Sequence, residues 1–170
     1  GQLAANYSFP PGQPALQKQL AHRMQLEDSI VDPAHILITN GCQEALYLAL
    51  QSVTQSGDVV AIESPTFYGL LQVIESLGLK AIEIPTDPSE GISPEALSLA
   101  LDQWPVRACI VTPNFSNPLG SRLSLDQRNK LVALARKHDL IFVEDAIYSD
   151  LGFNGERVPS LHSLAPQQVI

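Results

Sequence analysis

Asp145 follows an apolar run, Ile141-Phe142-Val143-Glu144, and Tyr148 comes three residues later. A carboxylate that emerges from a buried strand is costly unless it meets a cation or a hydrogen-bond donor. Upstream, the run ending at Val111 breaks into Thr112-Pro113-Asn114-Phe115-Ser116-Asn117-Pro118-Leu119-Gly120. Asn117 and Tyr148 could both donate hydrogen bonds to one ligand oxygen. Asn40-Gly41-Cys42-Gln43 turns straight into a helical pattern, and free N–H groups at a helix start suit a phosphate. Phe67, in Ser64-Pro65-Thr66-Phe67-Tyr68, could cover a flat ring. Each feature alone is an ordinary turn, cap or core aromatic. Their order along the chain gives them weight together.

The intervening pattern says how they are positioned. Leu16, Leu20 and Met24 recur at intervals of four after Pro14, which predicts a helix behind an irregular segment 1–13. Strands are predicted at His35-Ile36-Leu37-Ile38-Thr39, Val59 to Glu63, Ala81 to Ile84, Arg107 to Val111 and from Ile141. Helices lie between them. Leu46, Ala49, Leu50 and Val53 form one apolar face, closed by Gly57, and Leu70, Val73, Ile74 and Leu77 form the next, ended by Gly78. Ser93-Pro94 opens another helix, with Ala96, Leu97, Ala100 and Leu101 on one side. Ser124 opens the last, with Gln127 as its capping-box partner, an apolar face of Leu131, Leu134 and Ala135, and His138 in the final turn. Strands this apolar, alternating with helices, imply an α/β fold of three layers, with a mainly parallel sheet covered on both faces. The four polar clusters then fall at the carboxyl ends of strands, where open α/β sheets keep their ligands.

Bulk composition narrows the partners. The chain has 170 residues, which suits one domain, and 45% hydrophobic with 16% charged residues describes a globular protein. No run approaches the roughly 20 apolar residues of a membrane span. The net charge of −8, without a basic cluster, argues against a nucleic-acid surface in this segment. Cys42 and Cys109 sit in apolar patterns, so a disulfide framework is not expected and a reducing, cytoplasmic setting is. Cys42 has no base beside it in sequence. His22, His35, His138 and His162 show no metal-ligand spacing, so no metal site is expected. Nucleotide fingerprints of the Gly-x-Gly-x-x-Gly or Gly-Lys-Ser/Thr kind are missing.

A phosphate seat, a stacking ring, a carboxylate for a ring cation and donors for a phenolate oxygen together describe pyridoxal 5'-phosphate. The stretches Ile38 to Leu46, Glu63 to Gly69, Pro113 to Gly120 and Glu144 to Leu151 resemble the large domain of fold-type I, aspartate-aminotransferase-like enzymes. In detail, Pro65-Thr66-Phe67-Tyr68-Gly69 followed by Asn114 to Gly120 is most similar to MocR-type members of the GntR regulators. In those proteins a winged helix-turn-helix is fused to an aminotransferase-like domain that senses the cofactor or its amine adducts.

The resemblance implies roles. Gly41, Cys42 and Gln43 would hold the phosphate, Phe67 would stack on the ring, Asn117 and Tyr148 would bond its phenolic oxygen, and Asp145 would pair with its nitrogen. Tyr7 resembles the tyrosine that reaches the neighbouring subunit's phosphate in a homodimer. Phe67 stands where related aminotransferases carry tyrosine. The family's Schiff-base lysine lies after a further strand, and Lys18, Lys80, Lys130 and Lys137 do not substitute for it. Residues 1–170 are therefore expected to be a single incomplete large domain, without that lysine region or the small carboxyl-terminal domain. No residue is assigned a catalytic role, and transamination by the segment alone is not expected. Implied partners are an amino acid or amine, a second copy, and DNA only through a separate amino-terminal domain. The alternative is a segment of a free-standing amino-acid aminotransferase.

Overall fold

A computed structural model describes residues 9–26, 28–153 and 158–170. Helix α1 (Pro14–Gln25) precedes a 3-10 turn at Pro33–His35. The elements then run α2 (Cys42–Val53), β1 (Val59–Ser64), α3 (Tyr68–Ser76), β2 (Lys80–Asp87), β3 (Gly91–Ile92), α4 (Pro94–Gln103), β4 (Val106–Val111), α5 (Leu125–His138), β5 (Ile141–Glu144) and a single turn α6 (Leu161–Leu164). The sheet has the order β3-β2-β1-β4-β5. All pairings are parallel except that of β2 with β3.

Strand alternation splits the core into two. Val60, Ile62, Ala108, Ile110 and Val143 face α2 and α3, meeting Leu46, Leu50, Val73 and Ile74. Ala61, Cys109, Val111 and Phe142 face the other way, onto Leu97 of α4 and Leu131, Val132 and Ala135 of α5. This is the three-layer arrangement that the sequence predicts. Leu50 and Leu131 are wholly inaccessible. Truncating either to alanine would cost about 2–5 kcal/mol through lost burial and the cavity left behind.

Chain order creates the crevice. From β1 the chain crosses through α3 to β2 on one side, then returns through α4 to β4 on the other. The carboxyl ends of β1 and β4 are thus neighbours whose connections leave in opposite directions, and a gap opens above them. Gly78 ends α3 as predicted: at φ +66° it lets Leu79 N–H reach Ile74 O and its own N–H reach Glu75 O.

Three local expectations are corrected. His35–Thr39 is no strand: after the 3-10 turn the chain is extended but joins no ladder among the described residues. Its polar backbone is satisfied elsewhere, with Gln17 Nε2 donating to Ile36 O at 2.6 Å and Ile38 N–H to Pro11 O at 2.8 Å. Helix α2 stops at Val53, ahead of Gly57, because Thr54 turns extended and its hydroxyl caps Leu50 O at 2.6 Å. Ser124 does cap α5, accepting from Gln127 N–H at 3.2 Å, but the Gln127 amide points away and donates to Glu90. The turn α6 and the two-residue β3 are too short for periodicity to reveal. Val169 forms an isolated parallel bridge with Phe142 beside β5.

Candidate functional site

The gap over β1, β4 and β5 is a cavity of about 220 Å³. Cys42, Gln43, Phe67, Asn117, Asp145 and Tyr148 all line it. These six of the sequence-predicted residues therefore converge. Gly41 stands directly before them as the N-cap of α2. Tyr7 lies outside the described residues. Leu46, Thr112 and Ile147, to which sequence reading assigns no role in the site, complete the wall.

Gly41 has φ +101°, a conformation that residues other than glycine rarely adopt, and a Cβ there would meet nothing within 4 Å. No side chain caps α2 at this residue. The first N–H groups of a twelve-residue helix, with the positive end of its dipole, therefore face the cavity edge bare. Phe67 is fixed from below. A Cβ at Gly69 would collide with the Phe67 ring and with the Gln43 amide, so the ring rests where glycine leaves room. Tyr68, whose ring centroid is 4.7 Å from that of Phe67, points outward and is 70% exposed.

Asn117 and Tyr148 meet at the opposite wall, with Asn117 Nδ2 3.4 Å from Tyr148 Oη. Their loops are held by one buried cation. Arg128 of α5 is fully inaccessible and donates to Pro113 O, Asn114 Oδ1, Leu123 O and Pro159 O at 2.7–3.3 Å. Asn114 in turn donates to Ser149 Oγ at 3.1 Å, beside Tyr148. Glu144 lies 3.9 Å from Arg128 and accepts from the N–H groups of Leu161 and His162, anchoring α6. Burial lowers the Arg128 pKa to about 10, which leaves it charged at neutral pH. Sequence reading passed over Arg128, yet the signal existed: it shares a helix face with Leu131, Val132 and Ala135.

Asp145 is the electrostatic centre. Its N–H bonds Val111 O, its Oδ1 accepts from Ile147 N–H at 3.2 Å, and Cys42 Sγ lies 3.8 Å from both carboxylate oxygens. Burial raises its pKa. Among the described residues no basic side chain pairs with it. Burial and then the Asp145 charge push the Cys42 thiol up to about 11, so Cys42 is a weak donor here and no nucleophile. A half-buried carboxylate facing a cavity lined by the Phe67 ring suits a cationic ring nitrogen. The residues present fit pyridoxal 5'-phosphate, with helix N–H groups for its phosphate, the Phe67 ring for stacking, a carboxylate and two phenolate-oxygen donors. No cluster of potential metal ligands occurs among the described residues.

The family described as "Aminotransferase class I and II" matches residues 1–169. The chain belongs to that family. Two relatives of the chain are the uncharacterized HTH-type transcriptional regulators YjiR and YdcR of Escherichia coli, 42% and 44% identical over 95% and 88% of the chain. A third is the HTH-type pyridoxine biosynthesis transcriptional regulator PdxR of Corynebacterium glutamicum, 35% identical over 88%. The chain spans 34%, 32% and 31% of the lengths of these three. Among solved aminotransferase structures it superposes on LysN, the α-aminoadipate aminotransferase of Thermus thermophilus, in a complex with N-(5'-phosphopyridoxyl)-L-leucine. The TM-score is 0.89 at 30% identity, covering 98% of this chain and 42% of that one. An archaeal alanine:glyoxylate aminotransferase gives a TM-score of 0.91 at 29% identity, covering 96% and 42%. The fold is thus that of the large domain of fold-type I aminotransferases.

Proposed function

We propose that this chain is the pyridoxal-phosphate-binding part of an aminotransferase-like effector domain in a MocR-type, GntR-family transcriptional regulator. The observation that carries the cofactor reading is the single cavity in which Asp145 faces Phe67, the start of α2 and the Asn117–Tyr148 pair. The regulator reading is supported by the HTH-type relatives. Gly41, Cys42 and Gln43 would hold the phosphate through backbone N–H groups. Phe67 would cover one ring face, Asn117 and Tyr148 would bond the ring oxygen, and Asp145 would keep the ring nitrogen protonated. Tyr7 would complete the phosphate site across a homodimer. When bound, the cofactor supplies an electron-withdrawing ring and an aldehyde that captures amines.

Lys18, Lys80, Lys130 and Lys137 are all described, and none lines the cavity. This chain's own side chains therefore bind and orient the ring but offer its aldehyde no amine, and transamination by these residues alone is not expected. In the complete protein the cofactor or its adduct with an amino acid or amine would be the signal. A separate helix-turn-helix domain would contact DNA in the cytoplasm. Among the described residues no helix is long and apolar enough to cross a membrane.

The test is an equilibrium titration with pyridoxal 5'-phosphate, followed by absorbance, on wild type and Asp145→Ala. Saturable binding weakened at least about tenfold by the substitution is expected, an effect of 1.4 kcal/mol or more; absence of saturable binding by wild type rejects the reading. A second reading, part of a free-standing aminotransferase, is favoured by the superposition on LysN. Cofactor-dependent DNA mobility shift by the complete protein decides between the two.

A further inference from the structure

Glu63, near the end of β1, is a carboxyl that the site's assigned roles leave unused. It is 4% exposed. Its Oε2 accepts from Thr112 N–H at 3.1 Å, so the side chain lies over the end of β4, while its Oε1 is buried with no hydrogen-bond partner. On the other side of that strand end, Asp145 N–H bonds Val111 O. Glu63 and Asp145 face one narrow space beneath Phe67, closed by Leu46, Leu70 and Ile110. Two carboxyls in a space walled by apolar groups cannot both ionise cheaply.

We infer that Glu63 is a positioning residue of the ring-nitrogen site: with Asp145 it forms an electrostatically coupled carboxyl pair, and its ionisation shifts the proton affinity of Asp145 beside a bound ring. The orphaned Oε1 is the position for the Glu63 proton. Burial, followed by the weaker Asp145 charge and against the Thr112 hydrogen bonds, brings Glu63 to about 7. The other titratable groups around the pair are Cys109 on β4, raised by burial and then by Glu63, and Cys42 on α2, at about 11. Both thiols stay protonated at neutral pH, so the titration near neutrality belongs to the two carboxyls. Their apparent pKa values describe the pair rather than either residue. The second half of the inference, the effect on a ring cation, rests on the cofactor reading above; the pair itself does not.

Two measurements test it. Carboxyl carbon NMR of the ligand-free protein reads the midpoints of Glu63 and Asp145 in wild type, Glu63→Gln and Asp145→Asn. Glutamine keeps the acceptor for Thr112 and removes the proton. Each substitution is expected to lower the partner's midpoint by roughly one unit, tenfold in proton affinity; midpoints that stay put in both variants overturn the pair. The second measurement is the affinity for pyridoxamine 5'-phosphate at pH 6 and pH 8, a probe that needs no lysine. A bound ring cation favours ionised Glu63, so wild type should gain roughly threefold or more over Glu63→Gln as the pH rises across this window. An unchanged ratio with coupled midpoints overturns the effect on the ring. If wild type binds no probe, the cofactor reading fails while the NMR midpoints still decide the pair. A merely structural Glu63 would leave the Asp145 midpoint unmoved and the pH dependence of probe affinity unchanged.

Discussion

Arg128 Nη2 donates to Asn114 Oδ1 at 2.7 Å, and through this bond a fully buried cation on α5 holds the loop that carries Asn117. The same guanidinium reaches Pro113 O and Pro159 O, and Glu144 at 3.9 Å. Arg128→Leu leaves Glu144 as a buried charge without its cation, and is expected to lower stability by about 3–5 kcal/mol in urea unfolding. Arg128→Lys should rescue little, because an ammonium cannot span acceptors on both sides of a planar fork.

Asp145 is expected to serve binding at the expense of the empty fold. Its folded-state pKa is raised by burial, so the ionised form lowers stability once the pH exceeds the unfolded value. Asp145→Asn should therefore melt higher than wild type at pH 8 without ligand, while its affinity for pyridoxal 5'-phosphate falls at least about tenfold. Differential scanning fluorimetry with and without ligand reads both effects.

Glu63 shapes the pH profile of the empty protein. Its pKa is raised from 4.5 to about 7 by burial, so the stability it contributes is fully present below about 4.5 and is lost as the pH rises through 7. The loss amounts to about 3 kcal/mol for a shift of this size. Urea unfolding from pH 4.5 to 8 should show this decline in wild type and a shallower one in Glu63→Gln.

Gly69→Ala tests the cradle under Phe67. Alanine favours a helix over glycine by about 1 kcal/mol, but its methyl would collide with the Phe67 ring and the Gln43 amide. The variant should fold, with the ring displaced into the cavity and ligand affinity reduced roughly tenfold or more. Phe67→Tyr should retain near wild-type affinity, since stacking survives. Isothermal titration calorimetry measures both.

Much of the fold was legible because strand and helix periods differ and β1, β4 and β5 each end in polar residues. Asn117, Asp145 and Tyr148 could be placed together once the strands were taken as parallel neighbours. The segment 35–39 misled because its apolar composition fits a strand, while strand formation depends on a neighbour that composition does not name. Arg128 and Glu63 were missed for a shared reason: a charged residue reads as solvated unless the pattern around it is followed. Arg128 sits at helical spacing from Leu131 and Ala135. Glu63 closes an apolar strand as Asp145 follows another, so the rule that found one carboxylate would have found the second. The orphaned Oε1 and the Gly69 cradle exist only in three dimensions.

Cys42 and Asp145 touch across 103 residues of sequence, and the wall between them draws on β1 and β4, neighbours whose strands are joined through β2 and α4. No short stretch of chain contains even half of the cavity. A single strand and its helix therefore lack the cavity, which exists only where the ends of β1, β4 and β5 stand together. A molecule that binds there stabilises only the fully assembled sheet, by mass action on the global unfolding equilibrium. Occupancy of this cavity is thus a reporter of completed folding, and proteolytic resistance should rise with ligand across the whole chain.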